Sequence, residues 1–85
     1  MVVTLYSQPG CCLCDQARAM LERICSELGA QLVEQDITTD DQLHRRYLER
    51  IPVVAVGGQE VLDLDFDEQE ARRVLERWLE YSRYE

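Results

Sequence analysis

The sequence contains no lysine. Its nine basic residues are all arginines, set against 17 acidic ones, and the formal net charge is -8. Binding to DNA, RNA or an anionic membrane face draws on clustered positive charge, so neither nucleic acid nor membrane is expected as a partner. A long apolar run is missing too. The longest stretch without a polar side chain is Ile51 to Gly58, far short of the roughly 18 residues that a membrane span needs. The opening residues Met1-Val2-Val3-Thr4-Leu5-Tyr6 carry no basic n-region and no small-residue cleavage site, so no signal peptide is read there. The expected address is cytoplasmic. Linkers, internal repeats and low-complexity segments are likewise absent, and 85 residues make room for a single domain, 1–85. Such a chain buries roughly 60–65% of its unfolded surface. Its 46% hydrophobic content excludes disorder as the main state.

What is present is an unusual set of cysteines. Cys11, Cys12 and Cys14 fall within four positions, with Cys25 further on. A disulfide staple should join distant parts of a chain, so this cluster is a poor framework for one. In a reducing compartment it points to redox chemistry or metal binding.

The apolar pattern places the cluster in a fold. Val2 to Tyr6 reads as a strand, followed by a Ser7-Gln8-Pro9-Gly10 loop. Cys14, Ala17, Leu21, Ile24, Cys25 and Leu28 recur at helical spacing, and Gly29 is a C-terminal stop. A second strand is expected over Gln31 to Ile37. Thr39-Asp40-Asp41-Gln42 has the form of a capping box for a short helix through Leu43, Tyr47 and Leu48. Pro52 opens a third strand, Val53 to Val56, and Gly57-Gly58 turns it into a fourth, Gln59 to Leu62. Asp67-Glu68-Gln69-Glu70 caps a final helix with Ala71, Val74, Leu75, Trp78 and Leu79 on one face. The order β-α-β-α-β-β-α implies an α/β fold with a parallel crossover, a hairpin and a four-stranded mixed sheet flanked by three helices.

A first strand running into Cys11-Cys12-Leu13-Cys14 at a helix start, with Ile51-Pro52 opening the third strand, resembles the thioredoxin superfamily. The lack of an extra N-terminal strand and helix makes the chain similar to its glutaredoxin branch. More narrowly it resembles the short glutaredoxin-like proteins of bacteria, many without an assigned substrate. The resemblance implies a thioredoxin-like (glutaredoxin-like) fold and a thiol–disulfide oxidoreductase. It also implies a cis Ile51-Pro52 bond packed beside the thiols. Ile51 would offer backbone hydrogen bonds to an extended substrate, and Tyr6 and Pro9 would shape the substrate groove.

Position gives the cysteines separate roles. Three residues apart on a helix, Cys11 and Cys14 have Cα atoms roughly 5 Å apart, within disulfide range. Cys11 meets the free amides and positive dipole end of the helix, which favour a thiolate, so it is expected as the nucleophile and Cys14 as the resolving thiol. Cys12 reads as a partly exposed bystander and Cys25 as a buried, inert thiol. No metal ligand is assigned. His44 is a lone histidine on an Arg-rich helix, and Arg45, Arg46 and Arg50 read as a solvated face, with a small positive edge near Pro52, suited to an acidic partner, as the alternative.

The chain also departs from the branch. Many glutaredoxins carry a lysine just before the first cysteine, where Ser7 and Gln8 stand here; Arg18 is the nearest basic residue in sequence. They also have a Gly-Gly pair and an aspartate after the fourth strand, receiving a glutathione carboxylate. The corresponding stretch here is Leu62-Asp63-Leu64-Asp65-Phe66-Asp67, and three aspartates repel an anionic tripeptide. No cofactor is expected, and glutathione is a candidate reductant only. The expected partner is a disulfide-containing protein or small thiol, and the chain is expected to be a monomer. Two other classes stay open: a non-catalytic interaction module, and a metal or iron–sulfur protein using Cys11, Cys12 and Cys14. In the latter, three thiolates on one short stretch would need a fourth ligand from elsewhere.

Overall fold

Alternation of side chains across the first strand decides where the core lies. In β1 (Val2–Ser7), Val3 and Leu5 are fully buried on one face, while Tyr6 packs on the other. The computed structural model describes residues 1–83, with side chains through Glu80. After β1 come α1 (Cys12–Leu28), β2 (Gln31–Asp36), a 3₁₀ turn (Ile37–Thr39), α2 (Asp41–Tyr47), β3 (Val53–Val56), β4 (Gln59–Asp63) and α3 (Glu68–Arg83). The sheet order is β2-β1-β3-β4. β1 runs parallel to β2 and antiparallel to β3, and β3 pairs antiparallel with β4. This is the four-stranded mixed sheet with three helices expected from the sequence.

Each helix starts and stops for a local reason. Cys11 is the N-cap of α1, and Gly29 ends it at φ 72° with its N–H on the Cys25 carbonyl. Asp67 Oδ1 accepts the Glu70 N–H at 2.7 Å and caps α3. The cap of α2 is Asp40 rather than Thr39: its Oδ1 accepts from the N–H groups of Gln42 and Leu43. Thr39 is used instead in the 3₁₀ turn, where its hydroxyl donates to the Asp36 carbonyl. That turn also shortens the second strand by one residue. Asp36 Oδ1 accepts the Thr38 N–H at 2.8 Å and pulls the chain out of extended conformation before Ile37. The β3–β4 hairpin closes through Gly57 and Gly58 at φ 60° and 80°. Two successive positive φ angles are what a two-residue turn with the twist of its strands requires.

Two apolar clusters lie on opposite sides of β3, which is buried throughout. Val54 and Val56 join Val3, Leu5, Ala17, Leu21, Ile24, Cys25, Ala71 and Leu75 in the larger one, which α1 and α3 cover. Val53 joins Cys14, Ile37, Tyr47 and Ile51 in the smaller one, with Tyr6, Cys11 and Leu43 packed against it. Cys25 and Trp78 thus sit with the scaffold, whereas Cys14 belongs to the other cluster. Among the described residues no helix is long and apolar enough to cross a membrane.

Candidate functional site

The end of β1 and the start of α1 deliver Cys11 to a capping position with extended backbone, φ -89° and ψ 109°. Its Sγ accepts the Cys14 backbone N–H at 3.2 Å. Its own N–H donates to the Gln8 carbonyl at 3.4 Å, and its carbonyl accepts from the Asp15 N–H at 3.1 Å. A sulfur therefore takes the place that a serine or aspartate oxygen holds in most caps. Cys11 is half-buried, Cys12 exposed, and Cys14 and Cys25 buried; all four are free thiols.

Cys14 is wholly inaccessible at 0% exposure. Burial, first, and then its hydrogen bond with Cys11 push its thiol up to about 12, against an opposing pull from the Gln8 amide. Cys14 consequently holds its proton at neutral pH. Burial also raises the Cys25 thiol, in an apolar setting away from the site. Cys12 points to solvent and lies in neither cluster.

The Ile51-Pro52 bond is cis. Ile51 packs in one cluster with Cys14, and Tyr6 and Cys11 pack against that cluster. Four of the six sequence-predicted site residues therefore meet there. Pro52 is fully buried and lines a notch with Leu13 and Ala17. Pro9 stands apart: it lines a separate 310 Å³ cleft with Ser7, Gln8, Asp15, Arg18, Glu34 and Asp36, which none of the other five borders. The Ile51 N–H donates to the Tyr47 carbonyl at 3.0 Å. That N–H, expected from the resemblance to face a substrate, is therefore already bonded within the fold.

Several contributors were not legible in sequence. Tyr47 stacks on Tyr6 with ring centroids 4.6 Å apart and an interplanar angle of 27°. The guanidinium groups of Arg46 and Arg50 lie over the Tyr47 ring at 5.5 and 5.6 Å. Burial, and then the Glu60 carboxylate, raise the Tyr47 phenol. Arg50 is committed to Glu60 and Asp63, and Arg46 lies 3.6 Å from Glu60, so those two arginines form a braced shelf. Arg18 does not serve the thiols either. It holds Glu34 through Nε at 2.9 Å and Nη2 at 2.6 Å, and Asp15 at 3.1 Å. The buried Ser7 hydroxyl donates to the same Glu34 at 2.7 Å, and these partners hold that carboxyl below its usual range. Among the described residues, no group of three or more Cys, His, Asp or Glu is arranged to hold a metal ion.

This geometry has relatives. XcR50 from X. campestris is 33% identical in its crystal structure, over 88% of this chain and 96% of that one, with a TM-score of 0.76. Its solution structure gives 33% identity over 91% and 95% of the two chains, with a TM-score of 0.74. Thioredoxin 1 from the thermophilic eubacterium Thermosipho africanus TCF52B shares the fold at 18% identity, covering 98% and 99%, with a TM-score of 0.72. No curated protein matches the sequence. The family model of the glutaredoxin-like domain (DUF836) matches residues 2–79. On that match, and on a fold shared from the first strand to the last helix, the chain belongs to the glutaredoxin-like (DUF836) family, within the thioredoxin superfamily.

Proposed function

We propose that the protein is a thiol–disulfide oxidoreductase in which Cys11 is the nucleophile and Cys14 the resolving thiol. The observation that carries this reading is the Cys14 N–H donated to Cys11 Sγ at 3.2 Å. Hydrogen bonds to a charged acceptor are roughly twice as strong as neutral ones, so this cap serves a thiolate better than a thiol. Access separates the roles as well: Cys11 is half-buried and Cys14 is sealed. An incoming disulfide meets Cys11 first.

The cycle balances in two steps. The Cys11 thiolate attacks one sulfur of the target disulfide, the S–S bond breaks, and the departing sulfur leaves as a thiolate that takes a proton. Cys14 then loses its proton and attacks Cys11 Sγ in the mixed disulfide, releasing the second substrate thiol. The target gains two electrons and the protein is left as a Cys11–Cys14 disulfide. An external thiol or dithiol reductant returns it to the starting state. Burial raises the Cys14 thiol, so a proton has to leave it before the second step.

The targets are protein or mixed disulfides in the cytoplasm, and the protein acts as a monomer without a cofactor. Tyr6, Ile51 and Pro52 frame the approach to Cys11, while Pro9 shapes the loop leading into it. The test is reduction of insulin disulfides followed by turbidity. Dithiothreitol serves as electron donor first, then glutathione and a thioredoxin-reductase system side by side. Turnover is expected to vanish in Cys11→Ser. Full turnover by that variant refutes the assignment of the nucleophile.

A further inference from the structure

Beside the thiols lies a small apolar notch that the mechanism does not use. Leu13, Ala17, Met20, Pro52, Leu64 and Phe66 line it, with Gln16 and Asp65 at its rim, and its volume is 30 Å³. Enclosed small-molecule sites run to about 300–1,000 Å³. The notch has room for the end of one side chain.

Two of its walls are exposed leucines, each at 47% exposure. Leu13 lies inside the Cys11–Cys14 segment. Leu64 follows β4 at φ 61°, the only non-glycine residue with positive φ among those described. That conformation strains an L-residue. It is held in place because the Leu64 N–H donates to both the Arg50 and the Pro52 carbonyls at 3.0 Å. Backbone strain thus keeps an aliphatic side chain exposed beside Pro52, and strained residues of this kind cluster at binding sites. The charged side chain among its lining residues is Asp65, which is exposed and has no ion-pair partner among the described residues.

We infer that this notch selects among the targets of the proposed reaction, favouring a protein disulfide whose attacked cysteine is flanked by an aliphatic residue and an arginine or lysine. The aliphatic side chain enters between Leu13 and Leu64, and the cation faces Asp65. This inference rests on the oxidoreductase reading above. Oxidised glutathione has no aliphatic side chain for the notch and carries net negative charge, so it is the disfavoured substrate.

The test follows mixed-disulfide formation by peptide-resolved mass spectrometry in the Cys12→Ser/Cys14→Ser protein, where Cys11 is the accessible thiol and Cys25 stays buried. Cys11 attacks the peptide disulfide, and the second peptide thiol leaves. Three disulfides are compared: a peptide with Leu and Arg flanking the cysteine, the same peptide with Ser and Glu, and oxidised glutathione. The Leu–Arg peptide is expected to react about tenfold faster than the Ser–Glu peptide, from one buried aliphatic group and one surface charge pair. The preference is expected to fall to about threefold or less in Leu64→Gly, whose backbone suits that φ, and in Asp65→Asn, as the same single contributions are lost. Added salt is expected to slow only the Leu–Arg peptide.

Equal rates for the two peptides, or a preference untouched by both substitutions, overturn the inference and leave the oxidoreductase reading standing. Failure of all three disulfides to form an adduct overturns that reading and the inference with it. A dimer in sedimentation that Leu64→Gly dissolves assigns the notch to a second copy of the chain and also overturns the inference.

Discussion

The sulfur of Cys11 accepts the backbone N–H of Cys14, so the residue cast as nucleophile caps the helix through the amide of the one that is to resolve it. One helical turn fixes both thiols in relation to each other. The consequences can be measured.

Alkylation should divide the cysteines into two pairs. In the native protein Cys11 and Cys12 are accessible, whereas Cys14 and Cys25 are buried. Iodoacetamide at pH 8 is expected to add two labels natively and four in denaturant, as read by intact mass. Prompt native labelling of Cys14 contradicts the burial described.

Alkaline pH should destabilise the fold. The Cys14 thiol ionises at about 9 when unfolded and at about 12 in the fold, chiefly because it is buried. Its contribution to stability is fully present below 9 and is lost as pH rises from there to about 12, since the unfolded state releases the proton first. Cys25, also raised by burial, acts in the same direction. Urea midpoints are expected to fall across that window, with a shallower fall in Cys14→Ala.

On the scaffold side, Leu21 is fully buried among Val3, Leu5 and Leu75. Leu21→Ala is expected to cost about 2–5 kcal/mol, measured by urea unfolding. A cost below about 1 kcal/mol sits outside the range for a cavity in a core this small.

The Tyr6–Tyr47 stack offers a coupling energy. A double-mutant cycle with Tyr6→Leu and Tyr47→Leu is expected to return about 0.5–1.5 kcal/mol beyond the area lost. Tyr47→Phe keeps the stack and removes only the phenol's contact with Glu60. Additive single effects argue against the stacking contribution.

Much of the frame was legible because its signals are local. Helical spacing from Cys14 to Leu28, the stop at Gly29 and the Gly57-Gly58 turn each depend on residues within one element. The misplaced boundaries lie where two local signals compete. Thr39 and Asp40 both can cap, and the Asp40 carboxylate, which accepts two N–H groups, took α2 while Thr39 closed the preceding turn. Ile37 looks like strand but follows an Asp36 that bonds forward to Thr38. The site was legible only in part. Cys11, Cys14 and Ile51-Pro52 announce themselves by motif, but Tyr47 reaches Tyr6 across 41 positions of chain. Arg18 reaches Glu34 because β1 and β2 pair in the register that sets Leu5 opposite Glu34. Leu64 has no sequence signature at all: its φ is imposed by two carbonyls belonging to another loop.

The strand β3 sends Val53 to the thiol cluster and Val54 to the scaffold. Foundation and workshop are thus a single peptide unit apart, and a change of shape at either position is felt by its neighbour. Variation in what such a protein recognises has to be written at the margins, in residues like Leu13 and Leu64 that can be exchanged without disturbing the wall between the two rooms.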